Sequence, residues 1–186
     1  ARLDADDVTH MGVDMPIGLS NAGPRVCDIE ARKFLGRDGS SVFPAPPRAI
    51  LGCVDYRTAL DIARSTTGRG ISKQTFNITA KVAELDWLIQ SGTDCEIVEV
   101  HPECSFRTLN AGEPLPSKKT ALGQELRRQL LAAHFDLPPP PRGAAPDDVL
   151  DAYAVLWSTM RFRSDVHRQF GDGQLDDRGI PMRIIC

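Results

Sequence analysis

Residues 95–101 read CEIVEVH, and a proline follows at 102. Ile97, Val98 and Val100 are β-branched, and a short apolar run bounded by chain breakers reads as a buried strand. Proline cannot donate to a ladder, so the strand stops before Pro102. Glu99 sits inside this run, where a carboxylate is costly to bury without a partner. Residues 8–14 (VTHMGVD) form a second such strand, ended by Met15 and Pro16 and carrying Asp14 at its carboxyl end. Two apolar strands far apart in sequence, with helical segments between them, predict a parallel pair in an α/β fold.

Working outward, the periodicity is helical. Residues 25–35 form a helix closed by Gly36, and 56–65 form another. Ser72 caps a helix reaching residue 90, with Phe76, Val82, Leu85, Leu88 and Ile89 as its apolar stripe. A short helix is expected at 104–109. Residues 117–134 form a longer one, with Leu122, Leu126, Leu130 and Leu131 inward, and 147–162 form the last, with Val149, Leu150, Tyr153 and Leu156 apolar. Trp87 and Trp157 fall on helix stripes and are expected in the core. The segment 40–48 is irregular and proline-rich, and 138–141 is a stiff polyproline bridge. Residues 170–186 read as a C-terminal hairpin with its turn at 176–179. Two strands alone make a poor sheet, so further strands are expected upstream. Residues 1–8 (ARLDADDV) are neither a signal peptide nor a basic transit sequence.

With 186 residues, 41% hydrophobic and 25% charged, the chain is long enough for one domain with an ordinary core. No apolar run is long enough for a transmembrane helix. A formal net charge of -3 argues against a strongly basic nucleic-acid coat, although a local basic patch remains compatible with it. The five cysteines are odd in number and widely spaced, which excludes a disulfide framework and reads as free thiols in a cytoplasmic protein. His101 and Cys104 are three apart, but nothing supplies the other half of a zinc site.

Three acidic groups carry the candidate chemistry. Asp14 ends the first strand, Glu99 and Glu103 lie on and just past the second, and Asp147, Asp148 and Asp151 open the last helix. Sites in α/β sheets form outside the carboxyl ends of strands. Asp147 or Asp148 shares a helix face with Asp151. Convergent carboxylates need a cation, and Mg2+ or Mn2+ prefers oxygen ligands and can activate water at a phosphodiester. The plainer readings are helix-start acids at 147–148, a turn residue at Asp14 and a satisfied strand residue at Glu99. Basic residues gather at Arg64, Arg69, Lys73 and Lys81, and again at Lys118, Lys119, Arg127 and Arg128. They read either as phosphate contacts or as solvated helix faces. The Gly68-x-Gly70 loop is a weak anion-binding signal and not a Walker loop.

The runs VDMPIGL (13–19), RVCDIEAR (25–32), SVFPAPPR (41–48), GISKQTFNI (70–78), EVHPECSF (99–106), SKKT (117–120) and DDVLDA (147–152) occur in order. Together they resemble the domain-of-unknown-function 429 family, a set of predicted RNase H-like nucleases. The resemblance implies a single RNase H-like domain over 1–186, a mixed sheet flanked by helices. It implies Asp14 as the acid of the central strand, Glu99 or Glu103 as that of the next, and Asp148 with Asp151 as the helix pair. Asp14, Glu99, Asp148 and Asp151 would ligate Mg2+ or Mn2+, while Ser72, Lys73, Gln74, Lys118 and Lys119 would line the cleft. The sequence lacks the family's opening three-stranded unit, so the domain reads as incomplete at its N-terminal side. The leading expectation is a metal-dependent nuclease acting on nucleic acid. The alternatives are an enzyme for a small phosphorylated or nucleotide ligand on the same fold, and a non-catalytic binding module.

Overall fold

Strand β1 (His10–Val13) lies parallel to β2 (Glu96–Glu99), with Met11 opposite Ile97 and Val13 opposite Glu99. This description comes from a computed structural model covering residues 8–186. Residues 1–7, part of the stretch read as neither signal nor transit sequence, lie outside the described residues. The pair is short, and its carboxyl ends are set by Pro16 and Pro102.

Six helices and a C-terminal ribbon surround it. They are α1 (Val26–Leu35), α2 (Tyr56–Thr67), α3 (Lys73–Gln90), α4 (Pro102–Leu109), α5 (Ala121–Ala132), α6 (Pro146–Arg163), and a C-terminal ribbon of β3 (Gln169–Phe170) antiparallel to β4 (Ile184–Ile185). The ribbon does more than close on itself. Ile185 forms a single parallel bridge with Val100, just past β2, so the tail pair abuts the small sheet while remaining a separate two-stranded sheet. The molecule is thus a mixed α/β protein with helices flanking a short parallel pair.

Helix α6 packs directly on β1, and Gly12 makes this approach feasible. A Cβ at Gly12 would come within 2.0 Å of Thr159 Oγ1 and 2.9 Å of Val155 Cγ1. Helices α4, α5 and α6 bury Phe106, Leu131, Leu150 and Ala154 against one another. Ser158 donates to Ser105 across the α4–α6 contact at 2.7 Å. On the other side, α1 and the ribbon enclose Cys27, Ala31, Leu35, Phe170, Met182 and Ile184. No described helix is long and apolar enough to cross a membrane.

Four expectations about inward faces fail, one of them Leu88, which is exposed. Trp87 is 69% exposed, Leu122 is 61% exposed and Leu156 is also exposed, whereas Trp157 is buried. The reason is polar. Helix α3 turns Thr75, Thr79, Val82 and Asp86 inward, because Asp86 pairs with Arg48. Arg48 in turn reaches Asp176 in the C-terminal ribbon. Helix α5 turns Gly123, Arg127 and Leu131 inward. Gly123 rests on the backbone of Pro116 and Ser117, and Arg127 pairs with Glu103. That helix starts at Ala121 because the Thr120 hydroxyl accepts from Gly123 N and caps it.

Candidate active site

The carboxyl ends of β1 and β2 open into a cleft of about 700 Å3. Its walls come from the loop after β1, residues 38–43, helix α3, the start of α4, the segment before α5, and α6. Among the acids that the sequence nominates, Asp14, Glu99, Glu103 and Asp151 all line it.

Asp14 stands at the end of β1, open to solvent in the cleft but closely walled. Burial raises its carboxyl above the ordinary range; His101 opposes the rise, the charge of Asp151 adds to it, and Lys118 opposes it. Asp14 and Asp151, from different elements, thus line the same cleft, near enough for their charges to interact. Asp151 Oδ2 accepts from Lys118 Nζ at 2.7 Å, while its buried Oδ1 has no partner. Burial also raises Asp151, against the opposing ammonium of Lys118. Burial alone would lower Lys118, but its hydrogen bond and charge pairing with Asp151 hold it above its ordinary range.

Glu99 has a different setting. It is buried, and its two oxygens receive Arg25 Nη1 and Nη2 at 2.7 and 2.8 Å. Ile17 N donates to the same Oε2 at 2.8 Å. Arg25 also pairs with Asp28 and donates to the carbonyls of Ile17 and Gly18. Two carboxylates thus share one buried guanidinium, leaving an excess negative charge. Burial pushes Glu99 up to about 7, with Arg25 opposing and Asp28 reinforcing the rise. The triad clamps the loop that follows Asp14.

Glu103 opens α4 and accepts from Arg127 Nη2 at 2.7 Å. His101 lies between the two glutamates. Its Nε2 donates to the Ser41 carbonyl at 3.2 Å, and its buried Nδ1 has no partner. Asp148 is exposed and does not line the cleft. Asp147 is the helix-start acid whose charge reaches Lys118. A four-residue spacing rotates a helix only slightly, so Asp147 follows Asp151 around the axis more closely than Asp148 does.

Of the proposed polar lining, Gln74, Lys118 and Lys119 face the cleft. Ser72 instead caps α3, its hydroxyl accepting from Thr75 N. Lys73 lies over the Tyr56 ring, 5.8 Å from its centroid. Arg64, Arg69 and Lys81 are solvated. Sequence reasoning did not assign Arg25, His101 or Arg127 to the site. One signal pointed to Arg25: a strand carboxylate such as Glu99 needs a buried cation. Arg127 was read only as one of a basic group open to phosphate contact or solvation, and its pairing with Glu103 was not foreseen.

As donors for a metal, Asp14 and Asp151 offer hard oxygens, and the unpartnered Oδ1 of Asp151 suits a cation. Among the described residues, no group of three or more His, Cys, Asp or Glu side chains is drawn together as a ready-made metal cage. Glu99 and Glu103 are committed to arginines.

Fold and site together define a mixed α/β protein with a cleft of carboxylates and cations at the ends of its parallel strands. The model of the family described as Protein of unknown function (DUF429) matches residues 2–174, and the chain belongs to that family. No curated protein and no solved structure matches the chain.

Proposed function

We propose that this protein is a metal-assisted hydrolase of phosphodiester bonds in nucleic acid, built on an RNase H-like core and using Mg2+ or Mn2+. The observation that carries this reading is that Asp14 and Asp151, from separate elements, line one cleft, with Asp151 Oδ1 buried and unpartnered. A buried carboxylate oxygen without a donor is costly unless a cation completes it. The RNase H-like core is supported by acids at the ends of two parallel strands and on the final long helix.

Asp14 and Asp151 would hold the ion. Bound there, it would lower the pKa of water and neutralise charge on phosphate oxygens. The rest of the work falls to this chain. Lys118 holds Asp151 in place through its 2.7 Å bond. Arg127, fixed by Glu103, and Lys119 supply positive charge for a phosphate. Arg25 and Glu99 fix the loop that carries Asp14.

The test is Mn2+ titration followed by thermal unfolding, with cleavage of a labelled single-stranded oligonucleotide as the activity readout. Mn2+ is expected to raise the melting temperature of the wild type and to leave Asp14→Asn and Asp151→Asn unmoved. Both variants are expected to lose cleavage. A wild type indifferent to millimolar Mn2+ overturns the proposal and moves the weight to a metal-free ligand-binding role.

A further inference from the structure

The cleft has two chemically distinct walls. One, from residues 103–151, brings Lys118, Lys119 and Arg127, with Lys118 paired to Asp151, Arg127 paired to Glu103, and Lys119 carrying the remaining positive charge. The other, from residues 15–78, brings Met15, Phe43 and Ile78, together with the exposed amide of Gln74. Phe43 is 41% exposed although it lines a concave surface. Prolines at 44, 46 and 47 fix the backbone beyond it, and Ala45 N donates to Asp28 at 3.2 Å. A half-exposed aromatic ring lining the same cleft as an amide with both donor and acceptor is the chemistry that receives a nucleobase. Cations on the facing wall receive a phosphate. The volume of about 700 Å3 falls within the range of clefts that enclose small molecules, roughly 300–1,000 Å3.

We infer that the cleft takes a single unstacked nucleotide, with its phosphate at Lys118 and Lys119 and its base laid on Phe43. This rests on the reading above that the Asp14–Asp151 end handles phosphate. The net charge of -3 accords with it, since the chain lacks the strong overall basicity that draws in long polyanions.

The experiment is titration calorimetry in EDTA with 5′-AMP and ribose 5-phosphate, so that binding is read without hydrolysis. AMP is expected to bind tighter than ribose 5-phosphate by roughly 5- to 150-fold, the span of base–aromatic stacking. Phe43→Ala should erase that difference, Phe43→Trp should retain it, and Lys119→Ala should weaken both ligands. Competition with a single-stranded oligoadenylate identifies the source. Displacement of AMP supports a nucleotide presented by a strand, and retention of AMP supports a free nucleotide. AMP binding no tighter than ribose 5-phosphate, or an AMP affinity untouched by Phe43→Ala, overturns the inference. Base-dependent binding without Mn2+-dependent cleavage removes the hydrolase reading alone. Cleavage with no base-dependent binding removes this inference alone.

Discussion

Replacing Arg25 by Met tests the clamp beneath the cleft. The guanidinium is fully buried and bonds both oxygens of Glu99, both oxygens of Asp28 and two backbone carbonyls. Methionine keeps much of the volume but leaves two buried carboxylates without a cation. Removing one partner of a buried ion pair costs about 3–5 kcal/mol, and with two carboxylates stranded the upper end applies. For a chain of 186 residues, ~5 kcal/mol corresponds to a fall of about 10–20 °C in melting temperature. The cost also depends on pH. Glu99 is held at about 7 against an ordinary 4.5, so its contribution to stability is fully present below 4.5 and is lost as pH rises through 7. At ~1.4 kcal/mol per pH unit, that window spans roughly 3 kcal/mol in the wild type. Without the guanidinium the carboxyl rises further, so Arg25→Met should cost more at pH 8 than at pH 5. Urea unfolding at both values reads this directly, and adding Glu99→Gln to Arg25→Met should recover part of the loss. A loss below about 1 kcal/mol, or an equal loss at both pH values, refutes the account of the triad.

Other consequences are as concrete. Gly12→Ala forces β1 away from Thr159 and should destabilise by about 1–3 kcal/mol, partly restored by Thr159→Ala; thermal unfolding of single and double variants checks it. Mn2+ affinity should climb with pH beyond the usual carboxylate range, because the protons held by raised Asp14 and Asp151 must leave before an ion binds. A profile that levels off at the ordinary aspartate pKa of 3.8 would contradict this. Asp176→Asn should cost about 1–3 kcal/mol near neutrality. Burial would raise Asp176, but backbone N–H donors from Leu19, Ile180 and Arg178, with Arg48, hold it below 3.8. Its contribution is therefore present above 3.8 and lost as pH falls, so the variant and the wild type should converge in acid unfolding.

Much of the local structure was legible in the sequence. The strands around Gly12 and Val98 follow from β-branched runs ended by proline, and the Ser72 cap and Gly36 terminus follow from local backbone chemistry. Such signals depend on neighbours in sequence. The placement of Asp14, Glu103 and Asp151 around one cleft was legible too, because strand ends and helix faces have fixed geometry.

The partners of those groups were decided elsewhere. That Glu99 spends its charge on Arg25, 74 residues away, depends on the fold bringing the residue before α1 to the last residue of β2. That α3 turns Asp86 inward and leaves Trp87 in water depends on Arg48 and on a tail ribbon about 90 residues further on. Hydrophobic periodicity assigns faces by apolar content. A buried ion pair reverses that assignment, because an unpartnered charge in the interior costs more than an exposed tryptophan. Composition and periodicity alone determined the class of elements, their order and the acids worth watching. Only the tertiary structure decided which of those acids are clamped by arginine and which, like Asp151, keep a buried oxygen without a hydrogen-bond partner.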